Sequence, residues 1–129
     1  YGCNKLQVLE MSGENEFAWT VKADLPAERY TAASAVVDGK LWVMAGIENE
    51  EEEWTDSVLV YDIASNTWAA GTPLPRPMAS CHAAVHDGEL HLIDVGIGSE
   101  TYAHRNGAWE QIADERAPEA TSCQSVLLG

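Results

Sequence analysis

The stretch YDIASNTW, residues 61–68, and the stretch TYAHRNGAW, residues 101–109, each set a tyrosine seven positions ahead of a tryptophan with a polar turn between them. Such a pattern reads as two short strands and a hairpin, and Asn106-Gly107 in the second copy is the strongest short hairpin signal. The repetition extends outward from these stretches. VVDGKLWVMAGI (36–47) aligns with VHDGELHLIDVGI (85–97), and Trp19/Trp68, Leu25-Pro26/Leu74-Pro75, Val36/Val85 and Asp38-Gly39/Asp87-Gly88 all stand 49 residues apart. The next copy is shorter: Trp68 and Trp109 are 41 apart, and the deletion falls between Gly96-Ile97 and Tyr102. At the summed offset of 49 + 41 = 90, Ala23-Asp24 meets Ala113-Asp114, Thr31 meets Thr121, and AVVDG (35–39) meets SVLLG (125–129).

Each unit reads as four strands. TAASAVV (31–37) runs into Asp38-Gly39, a dipeptide that tolerates the positive φ of a tight turn, and returns as KLWVMAG (40–46). LWVMA and LHLI are nearly continuous in apolar character, as expected of strands covered on both faces. A loop of variable length follows, then SVLVY (57–61), a turn rich in Asp, Ser and Asn, and a last strand opening with Trp68. Tyr and Trp thus flank an outer hairpin, where large rings fill the gap between neighbouring sheets. Four-strand units of about 40 to 50 residues with no helical periodicity point to blades of an all-β propeller.

These residues resemble the kelch repeat, whose signature is a glycine pair closing the second strand, a tyrosine in the third and a tryptophan opening the fourth. The resemblance covers essentially the whole chain. The glycine pair is Ala45-Gly46 in one copy and Val95-Gly96-Ile97-Gly98 in the other, and Met11 or Ser12 stands where the first copy should carry its tyrosine. The expected organisation of 1–129 is a partial kelch-type propeller of four-stranded antiparallel blades, an incomplete ring. Residues 1–29 would be outer strands of a first blade, 30–77 and 78–118 full blades, and 119–129 the first strand of another. Tyr1-Gly2 matches the end of a second strand and Gly129 a hairpin glycine. Closed propellers typically carry about 4 to 8 blades, so the ring is expected to need further blades, or association between chains, to close.

Composition limits the function. The apolar fraction is 46%, ordinary for a globular chain, and 7 Lys plus Arg against 21 Asp plus Glu give a formal charge of −14. Such a surface repels phosphate backbones and anionic membranes, so neither nucleic acid nor membrane is an expected partner. No run of 18 apolar residues and no basic-then-apolar leader pattern occurs. Cys3, Cys81 and Cys123 form no CxxC pair, and no Asn-x-Ser/Thr acceptor is present, which favours a reducing compartment, cytoplasmic or nuclear.

Several groups could carry chemistry. His82 and His86 share a strand face, with His91 after the turn and His104 farther on, but three or four convergent ligands with a second shell are wanted for zinc or copper, and none is assigned. Galactose oxidase, a kelch-type enzyme, holds copper with Tyr and His, yet no cross-linkable Tyr and Cys with accompanying His ligands can be picked out. Cys81 and Cys123 read as buried small residues with no basic neighbour to activate a thiol. No P-loop, GxGxxG or Ser-His-Asp order appears, so neither a catalytic residue nor a cofactor is assigned.

Glu48 to Trp54, ENEEEEW within the run IENEEEEWTDS (47–57), is the most unusual segment. Read plainly it is a solvated, flexible loop, and its carboxylates lack the spacing of a calcium loop. Read functionally, Glu50, Glu51, Glu52, Glu53 and Trp54 are presented to a basic partner on a rigid scaffold. The kelch resemblance adds Arg29, Tyr30 and Ser34, which would line the mouth of the central channel, and Arg76, two residues before Met78, the position aligned with Arg29. Otherwise Arg29 reads as a surface residue paired with Glu28. The expected function is a protein–protein interaction module, a scaffold or the substrate-recognition part of a ubiquitin ligase, with the loops between second and third strands and between blades as its recognition face. The alternative is part of a kelch-class enzyme such as an oxidase or sialic acid epimerase, and fold alone does not separate the two.

Overall fold

Three Asx-Gly turns set the architecture. Asp38-Gly39 (φ 50° and 70°), Asp87-Gly88 (49° and 75°) and Asn106-Gly107 (50° and 76°) all carry positive φ at both central residues. That is the type I′ geometry whose twist matches two antiparallel strands. A computed structural model describes residues 3–48, 51–96 and 100–113.

Hairpin β1 (Gln7–Gly13) and β2 (Glu16–Val21) forms a two-stranded sheet. Strands β3 (Ala33–Val37), β4 (Lys40–Met44), β7 (Val58–Asp62) and β8 (Thr67–Ala70) form an antiparallel sheet in that order. Strands β9 (Cys81–His86), β10 (Glu89–Asp94), β11 (Thr101–Arg105) and β12 (Ala108–Ala113) form the next. The short pair β5 (Ile47–Glu48) and β6 (Glu53–Trp54) is inserted between β4 and β7. The fold is all-β, and among the described residues the sheets do not close a ring.

The core lies between the two four-stranded blades. Ala33, Met44 and Val58 on one face meet Cys81, Leu90, Leu92 and Tyr102 on the other, with Met44 and Leu92 fully buried. Removing such aliphatic side chains from water contributes about 1.5 to 3 kcal/mol each.

The two conspicuous tryptophans bind neighbouring units together. Trp68 Nε1 donates to the Ala23 carbonyl at 2.8 Å, and Trp109 Nε1 donates to the Thr72 carbonyl at 3.0 Å. Ala23 and Thr72 are themselves 49 residues apart, so the bond is part of the repeat. The Asn66 side chain strengthens the first of these joints, its Oδ1 accepting from Tyr61 Oη at 2.7 Å and from the Ala23 amide at 2.9 Å. Trp68→Phe keeps most of the apolar body but strands the Ala23 carbonyl. It is expected to lower the unfolding free energy in urea by about 1 kcal/mol, and an unchanged midpoint would contradict the inter-blade bond.

Equal Tyr–Trp spacing does not mean equal pairing. Tyr61 stands across from Trp68, with ring centroids 5.1 Å apart, whereas Trp109 faces His104 and Tyr102 faces Gln111. The cause is turn length, because strands β7 and β8 are joined by residues 63–66 and β11 and β12 by the two-residue Asn106-Gly107 turn. In the first hairpin Leu9, rather than Met11 or Ser12, faces Trp19. The strand expected over 119–129 lies outside the described residues.

Candidate functional site

The chain brings its connectors and its second-to-third-strand loops to one end of the blades. Asp-Gly and Asn-Gly turns lie at the other end. At the first end Ile47–Glu48 and Glu53–Trp54 pair as antiparallel strands in place of the expected loose loop, Ile47 with Trp54 and Glu48 with Glu53. Backbone bonds fix its base on both sides. Tyr30 and Ile47 exchange N–H···O bonds of 3.2 and 2.9 Å, the Thr55 amide donates to the Gly46 carbonyl at 3.1 Å, and Gly46 and Thr55 each bond to Met78, at 2.8 and 3.2 Å. The connector before β3, the acidic hairpin and the connector before β9 thus form one small ribbon across the blade end.

Gly46 makes the close approach possible. Its φ is +96°, and a Cβ built there would lie 2.6 Å from the Tyr30 carbonyl oxygen and 3.0 Å from Ala32 backbone. Neither the conformation nor the space suits a side chain.

Arg29 is the polar anchor beneath the ribbon. Its Nη1 donates to the carbonyls of Ala45 (2.9 Å) and Ser57 (3.2 Å), and its Nη2 donates to Glu48 Oε1 and Ser57 Oγ, both at 2.6 Å. The side chain is 2% exposed, so it is not the surface arginine paired with Glu28 that the sequence suggested; the ion pair is with Glu48. The guanidinium reaches past the ends of β4 and β7 to the carbonyls of Ala45 and Ser57, where the ladder between the strands has stopped. Burial pulls its pKa below the ordinary value and the Glu48 charge pulls it back up, and the group remains charged at physiological pH.

The next blade carries a different arginine contact at this end. Met78, at the position aligned with Arg29, is buried, and the arginine comes from two residues earlier. Arg76 Nη2 bonds Asp94 Oδ2 and, at 2.5 Å, Glu100 Oε2. Burial works against the Arg76 charge, but hydrogen bonds to Glu100 and Asp94, with their negative charges, hold its pKa above the ordinary value. Arg76 remains one-third exposed, unlike Arg29.

The structure therefore gathers Arg29, Tyr30, Glu48, Glu51, Glu52, Glu53 and Trp54 at the blade end, with Arg76 beside the following connector. Ser34 is exposed on β3, one strand inward of that ribbon, and Glu50 lies outside the described residues. Glu51 to Glu53 are exposed and Trp54 is 43% exposed. Glu48, which opens the acidic stretch, and Ser57 carry the anchoring contact, a role the sequence does not show because their partner lies 19 and 28 residues away.

Cys81 is buried, and burial first, then the Asp94 charge, push its thiol up to about 12, Arg76 acting weakly in the opposite direction. The sequence shows no basic neighbour, but the fold brings Arg76 close, where its own carboxylate partners leave it little effect. At pH 8, in a Cys3→Ser, Cys123→Ser variant, the native thiol should react with an aromatic disulfide roughly a thousandfold more slowly than the unfolded chain. Comparable rates would contradict the buried placement.

Comparison with known proteins agrees with this geometry. The kelch motif model matches residues 28–75. Vaccinia virus has a kelch repeat protein 30% identical over 97 residues, 75% of this chain and 18% of the relative. An F-box/kelch-repeat protein of Arabidopsis thaliana is 34% identical over 100 residues, 71% of this chain and 26% of the relative. Human Kelch-like protein 35 is 37% identical over 75 residues, 58% and 12%. The solved structure of YjhT superimposes with a TM-score of 0.61 at 27% identity, over 75% of this chain and 28% of that one. The chain thus spans less than a third of the length of each of these relatives. With blades of four antiparallel strands, repeated inter-blade indole bonds and these matches, the chain belongs to the kelch-repeat β-propeller family.

Proposed function

We propose that this kelch segment is a protein-interaction module whose recognition surface is the blade end carrying the acidic hairpin. The observation that supports the reading most directly is the anchoring of β5 and β6. A hairpin held at its base by two connectors and by the Arg29–Glu48 pair presents Glu51, Glu52, Glu53 and Trp54 from a fixed platform, which lowers the ordering cost of binding. An exposed indole beside carboxylates suits a partner with arginine or lysine next to apolar residues, by cation–π and charge contacts. Tyr30 and Arg76 flank that surface, Ser34 extends it inward, and Arg29 serves as its support. The F-box/kelch and Kelch-like relatives favour a place as the substrate-recognition part of a ubiquitin ligase, working in the cytoplasm or nucleus.

The working ring requires more blades than the described ones. Leu9, Met11, Phe17, Trp19 and Val21 form one exposed apolar face of β1 and β2. Trp19 there occupies the repeat position from which Trp68 and Trp109 bond a preceding unit. A further blade, from a longer chain or an associated one, would cover that face.

Charge position, rather than total charge, tests the proposal. The Glu51→Gln, Glu52→Gln, Glu53→Gln variant takes the net charge from −14 to −14 + 3 = −11. A control with Glu14, Glu16 and Asp87 changed to Gln, Gln and Asn has the same charge, altered at the opposite end. An arginine-rich peptide, titrated calorimetrically at low salt, should bind the hairpin variant about tenfold more weakly than wild type and the control within about twofold. Equal losses in both would reduce the effect to bulk charge and refute a defined site.

A further inference from the structure

Between the two four-stranded blades, at the end away from the acidic hairpin, lies a cleft of about 300 Å³ lined by Val37, Asp38, Lys40, Trp42, Gly88, Leu90 and His104. Two of its lining residues, Trp42 and His104, belong to an aromatic stack across the blade boundary. The His104 ring lies 4.8 Å from Trp42 and 5.1 Å from Trp109, centroid to centroid. Trp42 Nε1 and His104 Nε2 are buried with no hydrogen-bond partner among the described residues, although Trp68 and Trp109 have their indoles satisfied by carbonyls. A buried polar group without a partner costs about 1 to 3 kcal/mol, and two in adjacent rings invite a ligand that satisfies both.

Their chemistry is complementary. An indole nitrogen only donates, and a neutral imidazole has one donor and one acceptor nitrogen. Burial lowers the His104 pKa, so the ring is neutral near pH 7. Asp38 and Lys40 at the rim offset one another, and a chain of net charge −14 opposes a carboxylate ligand. We infer that this cleft binds a primary carboxamide: its oxygen accepts from Trp42 Nε1, its NH₂ donates to His104 Nε2, and its aliphatic body lies against Val37 and Leu90. Both nitrogens are buried in residues that line the cleft, so the amide enters as the two rings part, and the two new hydrogen bonds offset that cost. A second hollow of about 480 Å³ shares Gly88 and His104 and continues past Glu89 and Arg105. The amide can therefore belong to a free small molecule or to a glutamine side chain on a bound peptide.

The test is nuclear magnetic resonance of the full ¹⁵N-labelled chain, following the Trp42 indole N–H and the His104 ring. Isobutyramide should shift both signals saturably, and isobutyrate should neither shift nor compete. Trp42→Phe, which removes the donor, and Val37→Phe, which fills the cleft, should each weaken binding at least fivefold. The competition on the unaltered chain decides the matter even if a variant fails to fold. An acetyl-Gly-Gln-Gly amide peptide binding more than tenfold tighter than isobutyramide, and its glutamate counterpart not binding, would identify a glutamine side chain as the source; weaker peptide binding would identify a free amide. Absence of saturable shifts with either probe, or equal binding of isobutyrate, would overturn the inference and leave water as the partner of both nitrogens.

Discussion

Arg29→Ala should lower the unfolding free energy by about 3 kcal/mol, as removal of one partner from a buried, hydrogen-bonded pair does. Four bonds disappear at once, to Ala45, Ser57 and Glu48. Glu48 retains partial access to water, with about a third of its side chain exposed, which keeps the loss below the most severe cases. Arg29→Met should cost less, because Met78 fills the aligned position in the following blade and is 1% exposed. The substituted chain recovers apolar packing while still losing the polar anchor. Urea unfolding of both variants checks the order. Equal destabilisation would mean that packing contributes nothing at this site, and no destabilisation would contradict the anchoring role.

The second large effect belongs to Gly46. Alanine there would place Cβ 2.6 Å from the Tyr30 carbonyl oxygen and keep a φ of +96°. Backbone, unlike a flexible side-chain tip, yields only by moving the ribbon, so Gly46→Ala should cost about 3 kcal/mol and lower the melting temperature by roughly 10 °C. Gly39→Ala is the control, since its φ is +70° but nothing lies within 4 Å of the added carbon. It should cost about 1 kcal/mol, conformational strain alone. A Gly46 variant no worse than the Gly39 variant would mean that the connector is not held against the hairpin.

How far sequence alone could go depends on distance along the chain. Asp38-Gly39, Asp87-Gly88 and Asn106-Gly107 announced their turns because the dipeptide itself carries the conformational preference, and the strands around them followed. The indole bonds were not visible, because the acceptors at Ala23 and Thr72 are backbone carbonyls that any residue supplies. Tyr102 looked like the counterpart of Tyr61 on spacing, but a turn two residues shorter puts His104 opposite the tryptophan. Arg29 looked exposed because charged residues usually are; its burial depends on Glu48, Ser57 and the open strand ends converging from three segments. The acidic stretch has too much charge for a recognisable strand pattern, and its hairpin is imposed by the backbone on either side of it.

The most direct test of the proposed recognition surface is position-resolved photo-crosslinking to the arginine-rich peptide. A photoreactive side chain would replace Trp54 in one protein and Ile63 in another. Both positions are well exposed, at 43% and 51%, so access alone does not separate them. Ile63 lies in the turn between β7 and β8, at the opposite end of the blade. Crosslinks from position 54, suppressed by unlabelled peptide, with few from position 63, are the result predicted. Equal yields from both positions, or yields from 63 alone, would contradict the assignment of recognition to the acidic-hairpin end.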